Sequence, residues 1–306
     1  MKKILLLLGF TLTLFSCIKE NSDNLIETEE IELSKVASEG DAQSEQSYSQ
    51  IFDDVIGMSD EVGVMGSGIF GREYGLDTAQ RCFTVRVERP NAPQPFPMIV
   101  TINFPQSGCV GPDGRVRRGQ MRTTYTNRLM VSGAESITTF LNYSVDSVTV
   151  GGTYKVKNIV EPVQLAIFPP QYNHKWLVKV EGGRLGYPNG NVVEWNSTKT
   201  IEQIEGSHTP ILRDDVFKIT GNANGVTVRS IGMTGPTVST WWNSETIEPL
   251  IRKNSCRWIV KGKIKTIRRN LSNTSPWIGI LDFGNGMCDN QATLNINGNI
   301  RTITLP

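Results

Sequence analysis

From Cys82 onward the chain is written in short alternating runs: "CFTVRVERP", "PMIVTINFP", "SVTVGGTYKVKNI", "WLVKVEGGRL", "VFKITGNANGVTVRSI" and "ATLNINGNIRTITL". Val, Ile, Thr and aromatic residues alternate with polar ones, which puts the apolar side chains on one face of a strand. A surface helix needs apolar positions every three to four residues, and no stretch of useful length in this region supplies them. Strands without helices between them exclude parallel βαβ units. The breaks carry Asn189-Gly190, Asn224-Gly225, Asn285-Gly286 and Asn297-Gly298, together with Gly151-Gly152 and Asp113-Gly114. These dipeptides accept positive φ and favour tight hairpins. The expectation is an all-β domain over 79–306, an antiparallel meander or sandwich of long hairpins. With strands of about five to six residues it would hold roughly a dozen or more of them.

Two segments share an order of features. Cys82 to Gly119 and Cys256 to Asn299 each run cysteine, strand, polar turn, proline-led strand, then a glycine close to a second cysteine. The domain would then contain two related sub-units. If each unit is a hairpin, its two cysteines lie at the same end of adjacent strands, about 5 Å apart, which suits a disulfide. Of the three pairings open to four cysteines, this geometry favours Cys82–Cys109 and Cys256–Cys288. The segment "FGNGMCDN" is then a turn held by the second bridge. Its Asp282-Phe283-Gly284 matches a kinase tripeptide but lacks the rest of a kinase. Asp282, Asp289 and Asn290 supply too few oxygens for an evident calcium loop.

Charge divides the chain. Between Ile18 and Glu61 there are 13 acidic residues against Lys19 and Lys35, although the whole sequence is nearly balanced at 30 acidic and 31 basic. The acidic stretch is rich in Glu, Ser, Asp and Gln and poor in aromatics, the composition of a segment that cannot bury enough surface to order itself. It is expected to be a flexible acidic tether over 17–78, with at most a short helix around Asn24 to Val36. The remainder is basic. Lys261, Lys263 and Lys265 share one strand face, and Arg115, Arg117, Arg118 and Arg122 form a second group. Their candidate partners are lipopolysaccharide phosphates, an anionic glycan or the chain's own acidic stretch. A solvated face that discourages edge-to-edge pairing would look the same.

The start of the chain carries address information. Lys2-Lys3, an apolar run from Ile4 to Phe15 and then Ser16-Cys17 make a signal peptide over 1–16. The run is too short for a comfortable permanent span. Its end, "LFSC", resembles a bacterial lipobox, which implies lipidation, as with palmitate, at Cys17 and an anchor in the outer membrane. Lys19-Glu20 in its acidic surroundings loosely resembles the export signal of Bacteroidota surface lipoproteins. Together with the β-rich body, "FGNGMCDN" and the final "TITLP", the chain resembles that family. The resemblance implies a cell-surface location in preference to the periplasmic face, and implies no activity.

Chemistry is sparse. His174 and His208 stand alone, without metal-ligand spacing. Asp214-Asp215, read as part of a strand, would point to opposite faces. Neither a catalytic group, a metal site nor a cofactor is expected, and nucleic acid is an improbable partner outside the cell. Of Trp241-Trp242, one would face inward and the other outward, where an aromatic plane stacks on sugars or proteins. Trp242 is taken as the ligand-facing member. Thr78 and Ser147 fit the Asp-Ser/Thr-aliphatic pattern of Bacteroidota O-glycosylation, Ser147 lying just ahead of an expected Gly151-Gly152 turn. The expected function is a non-enzymatic binding or accessory subunit of an outer-membrane protein complex. The alternatives are a carbohydrate-binding surface lipoprotein and, behind it, a surface hydrolase.

Overall fold

The alternating runs form strands throughout. The computed structural model describes residues 19–61, 82–111, 114–160, 174–207, 209, 212–230 and 237–305, with 19–26 and 57–61 described by backbone alone. Helix α1 spans Lys19–Glu61. The strands that follow are β1 (Thr84–Glu88), β2 (Met98–Val110), β3 (Val116–Tyr125), β4 (Glu135–Val145) and β5 (Val148–Asn158). Next come β6 (Lys175–Gly186), β7 (Val192–Glu205), β8 (Val216–Ser230) and β9 (Thr237–Lys253). The last are β10 (Ile259–Arg268), β11 (Gly279–Asn285), β12 (Gln291–Ile296) and β13 (Asn299–Thr304). The 13 strands of the described residues lie in one antiparallel sheet in chain order, the meander expected from the alternation. The described residues form one curved sheet, with no second layer of strands among them.

The sheet bends because its strands are creased along one row. Positive-φ residues interrupt β3 at Gly119, β4 at Asn142, β5 at Gly152, β6 at Gly182, β8 at Gly221 and β10 at Gly262. The ladder registers slip at the same places. Each slip is a β-bulge, which raises local twist and bends its strand. A row of them across neighbouring strands folds the sheet into a trough. The glycines are also needed for space: a Cβ on Gly119 would sit 2.1 Å from the Asn142 carbonyl oxygen, and one on Gly262 2.3 Å from that of Pro249. Gly151-Gly152 therefore makes a bulge inside β5, and Asn224-Gly225 lies inside β8, where hairpin turns were expected. Asn189-Gly190 and Asn297-Gly298 do form turns.

The acidic stretch departs from the tether reading over Lys19–Glu61. It is a continuous helix, longer than the short one near Asn24 to Val36, and the sheet is wrapped round it. Ile31, Ala37, Ala42, Tyr48, Ile51, Phe52, Val55 and Ile56 join the core, and Ser34, Ser38, Asp41, Ser44, Glu45 and Asp54 are buried with them. Between 34 and 50, Lys35, Glu39, Gln43, Ser47 and Gln50 stay partly exposed. They recur every three or four residues, so they mark one narrow stripe along the helix. The helix fails the usual amphipathic test because it is enclosed on nearly all sides. The sheet supplies the partners for its polar groups.

The aromatic core gathers round the second half of the helix. Phe52 meets Trp176 and Phe217 edge-on, and Tyr48 stacks on Trp195. The helix lies close against β8 at Gly40, where a Cβ would lie 2.0 Å from Thr227 Oγ1. A mid-helix glycine costs about 1 kcal/mol relative to alanine. Here that cost permits the contact.

The cysteines stand as the hairpin argument requires. Cys82–Cys109 and Cys256–Cys288 lie at disulfide distance, with Cα separations of 5.4 and 5.6 Å. The β1–β2 and β10–β11 pairs are adjacent and antiparallel. The two units also meet: Arg115 Nε and Arg257 Nη2 both donate to Asp146 Oδ2, at 2.9 and 3.1 Å.

Candidate functional site

The basic residues of the body fall into two populations. One points inward at the helix. Arg117 donates to Asp54 through Nη2 at 3.1 Å and Nε at 3.4 Å, both side chains being buried, and Tyr143 Oη adds a third donor. Lys199 Nζ lies 2.7 Å from Glu45 Oε2. Arg252 pairs with Asp53, and Arg268 with Glu30 and Ser34. Arg229 pairs with Glu39, and Arg301 with Glu32. The chain's own acidic stretch, one of the partners read from the sequence, holds these cations.

Asp41 shows what this burial does. Trp195 Nε1 and Thr266 Oγ1 donate to its two oxygens, each at 3.2 Å. Burial outweighs nearby Lys199 and pushes its pKa up to about 6. Asp215 behaves alike: burial raises its pKa to about 7, against a 2.7 Å hydrogen bond from Gln203 and with the Asp214 carboxylate adding to the rise. Asp214 and Asp215 sit at a short 3-10 turn, Leu212–Asp214, ahead of β8, and not on a strand as the sequence reading had it.

The second population faces out. Lys261, Lys263 and Lys265 lie on the outer surface of β10. Lys263 pairs with Glu248 and Asp282, and Lys265 with Glu245, all on neighbouring strands. Two of the three candidate ligand-facing lysines are thus engaged by carboxylates of the same sheet.

The tryptophan pair splits as expected, with its members exchanged. Trp242 is 2 % exposed and donates from Nε1 to Thr227 Oγ1 at 3.0 Å. Trp241 is 52 % exposed, with the Arg269 guanidinium 5.3 Å from its ring centre. Alternation requires that one face out. The phase follows from β9 register: Trp242 lies opposite Gly225, whose missing side chain leaves room for the indole ring.

Trp241 edges a groove of about 1040 Å³ between α1 and the ends of β8, β9 and β10. Leu33, Val36 and Val238 form its apolar wall, and Arg229, Arg268, Arg269, Glu29 and Glu32 its charged rim. The groove exists because β9 outruns β10. Pairing between them ends at Trp242 with Arg268, and one further bond runs from Arg269 N to Trp241 O. Thr237 to Thr240 continue, paired with β8 alone among the described residues. Sequence reasoning missed this groove, since nothing in alternation says that one strand stops before its neighbour.

The remaining candidates resolve into turns. Asp282 Oδ1, Asn285 Oδ1 and Asp289 Oδ1 each accept from the backbone N–H two residues on, so these side chains cap the bends of "FGNGMCDN". Among the described residues no three His, Cys, Asp or Glu side chains gather as a metal site would require. His174 is half-buried and stacked on Trp176, and burial lowers its pKa. Ser147 is exposed with φ 70° in the β4–β5 turn itself, further from Gly151 than a shared turn would place it. Cys17, Thr78 and His208 lie outside the described residues. No described helix is long and apolar enough to cross a membrane. The chain matches no known family model, no curated protein and no solved structure.

Proposed function

We propose that the chain is a non-enzymatic lipoprotein of the outer membrane, held through Cys17 at the cell surface, that acts as a binding or accessory subunit of a membrane protein complex. The groove beside Trp241 carries this reading. It combines a half-exposed indole, an apolar wall and an arginine rim on a rigid sheet, the mixture typical of recognition surfaces. Its position fits a partner in the same membrane. Cys17 lies two residues before α1 begins, and the groove residues Thr28 to Val36 follow about 14 to 26 Å further along the helix. The anchor thus leads directly into a helix that the body encloses.

The test is purification of the acylated protein from detergent-solubilised outer membrane. A stoichiometric membrane partner that is lost on Trp241→Ala supports the reading. A Cys17→Ala protein that stays in the membrane fraction like wild type defeats the anchor. Carbohydrate binding is a second reading, favoured by the open indole face with Arg269 beside it. It requires glycan-array binding that Trp241→Ala removes.

A further inference from the structure

We infer that the edge of β9 at Thr237 to Thr240, unpaired on the β10 side among the described residues, is a strand-addition site for an extended segment of a partner protein, apolar on its inward side and acidic on its outward side. The inference deepens the binding reading above and rests on it.

Three observations carry it. The first is the edge. Backbone groups of a strand point alternately to its two neighbours. Trp241 C=O accepts from Arg269 on the β10 side, so Ser239, two residues earlier, turns its N–H and C=O the same way. There β10 has already ended at Arg268. A backbone edge of this kind is completed by another extended backbone, which a sugar or an acyl chain cannot provide.

The second is the wall. Val238 and Thr240 face inward beside Leu33 and Val36 of α1. Thr240 is 5 % exposed. An inward side chain of an added strand would rest on this wall, which selects an apolar residue.

The third is charge. Glu30 is taken by Arg268, Glu32 by Arg301 and Glu39 by Arg229. Glu29 acts on Arg268. Arg269 is exposed on the outer side over Trp241, with no carboxylate partner among the described residues. An outward residue of the added strand is therefore best acidic, next to Arg269.

The probe is the peptide Thr-Val-Glu-Val-Glu-Val-Thr, titrated into the full-length protein carrying Cys17→Ser, with Trp241 fluorescence as readout. Binding is expected, at least about fivefold weaker when Lys replaces both Glu residues. Ser239→Pro removes the edge donor and leaves the β8 ladder alone, so it should weaken binding about tenfold. If that variant does not fold, as judged by near-UV dichroism, Leu33→Asp serves in its place and should weaken binding by a similar factor. Lys265→Glu, on the outer face of β10, should change nothing. The inference is overturned if the peptide does not bind, if Ser239→Pro or its replacement binds like wild type, or if the Lys peptide binds equally well. Self-association that Ser239→Pro abolishes would assign the edge to a second copy and also overturn it. Each of these failures leaves the Cys17 anchor standing, because the measurement does not use the anchor.

Discussion

Adjacent strands β9 and β10 display cations on both faces, and the two faces behave as different chemistry. Outside, Lys263 and Lys265 reach Glu248 and Glu245 across a solvated surface. Inside, Arg252 and Arg268 reach Asp53 and Glu30 on α1 with their own side chains almost fully buried. Water can replace an outer partner. An inner partner has no substitute, so the buried cations fix where each carboxylate of the helix must lie. Cationic side chains thus serve solubility as lysines on one face and helix placement as arginines on the other.

The sharpest way to break this contrast is to remove a buried partner. Asp54→Ala strands Arg117 beneath the helix and should cost about 3–5 kcal/mol, read by urea unfolding. Asp54→Leu with Arg117→Met should recover most of that loss, because two apolar groups leave no unpaired charge. If the single and double variants are equally unstable, the pair does not act through its charge. Next in size is Gly40→Val, which pushes α1 away from Thr227 and should cost about 1–3 kcal/mol by overpacking. An unchanged melting temperature would show that the helix is not seated as described.

A smaller effect should appear in pH dependence. The Asp41 pKa is about 6 in the folded protein, against about 3.9 in an unfolded chain. Between these values the folded state binds a proton that the unfolded state has lost. The contribution of Asp41 to stability is therefore greatest below about pH 4 and falls as pH rises through 6. Asp41→Asn should gain stability relative to wild type between pH 4.5 and pH 7.5 in paired thermal melts, and a constant difference would refute the assignment. The smallest effect belongs to the outer face. Lys265→Ala should cost about 0–1 kcal/mol, less in high salt. A loss comparable with Asp54→Ala would erase the distinction between the faces.

The strands were legible because alternation is a local property, and so were the cysteine pairs, whose partners sit on neighbouring strands. The helix was not. Its polar residues look solvated until Arg268, Arg229 and Arg117 are folded round them, and those lie far away in the chain. Alternation also implied that one indole of Trp241-Trp242 faces out. It could not say which, because the phase depends on Gly225 across the ladder. The groove was invisible for a related reason: it is a difference in length between β9 and β10.

The separation between α1 and its partners has a kinetic side. Every described strand pairs with its neighbour in the chain, so the meander can zip up through sequence-local pairings. The helix cannot follow that schedule. Glu32 waits for Arg301, 269 residues later, and Glu30 for Arg268, 238 residues later. Synthesised before every strand of the sheet, the acidic helix is the last element able to complete its contacts. Until β13 arrives, the trough and the helix are each exposed to the wrong partner. The helix, made ahead of the sheet that encloses it, is thus the element most dependent on a chaperone or on rapid closure of the sheet.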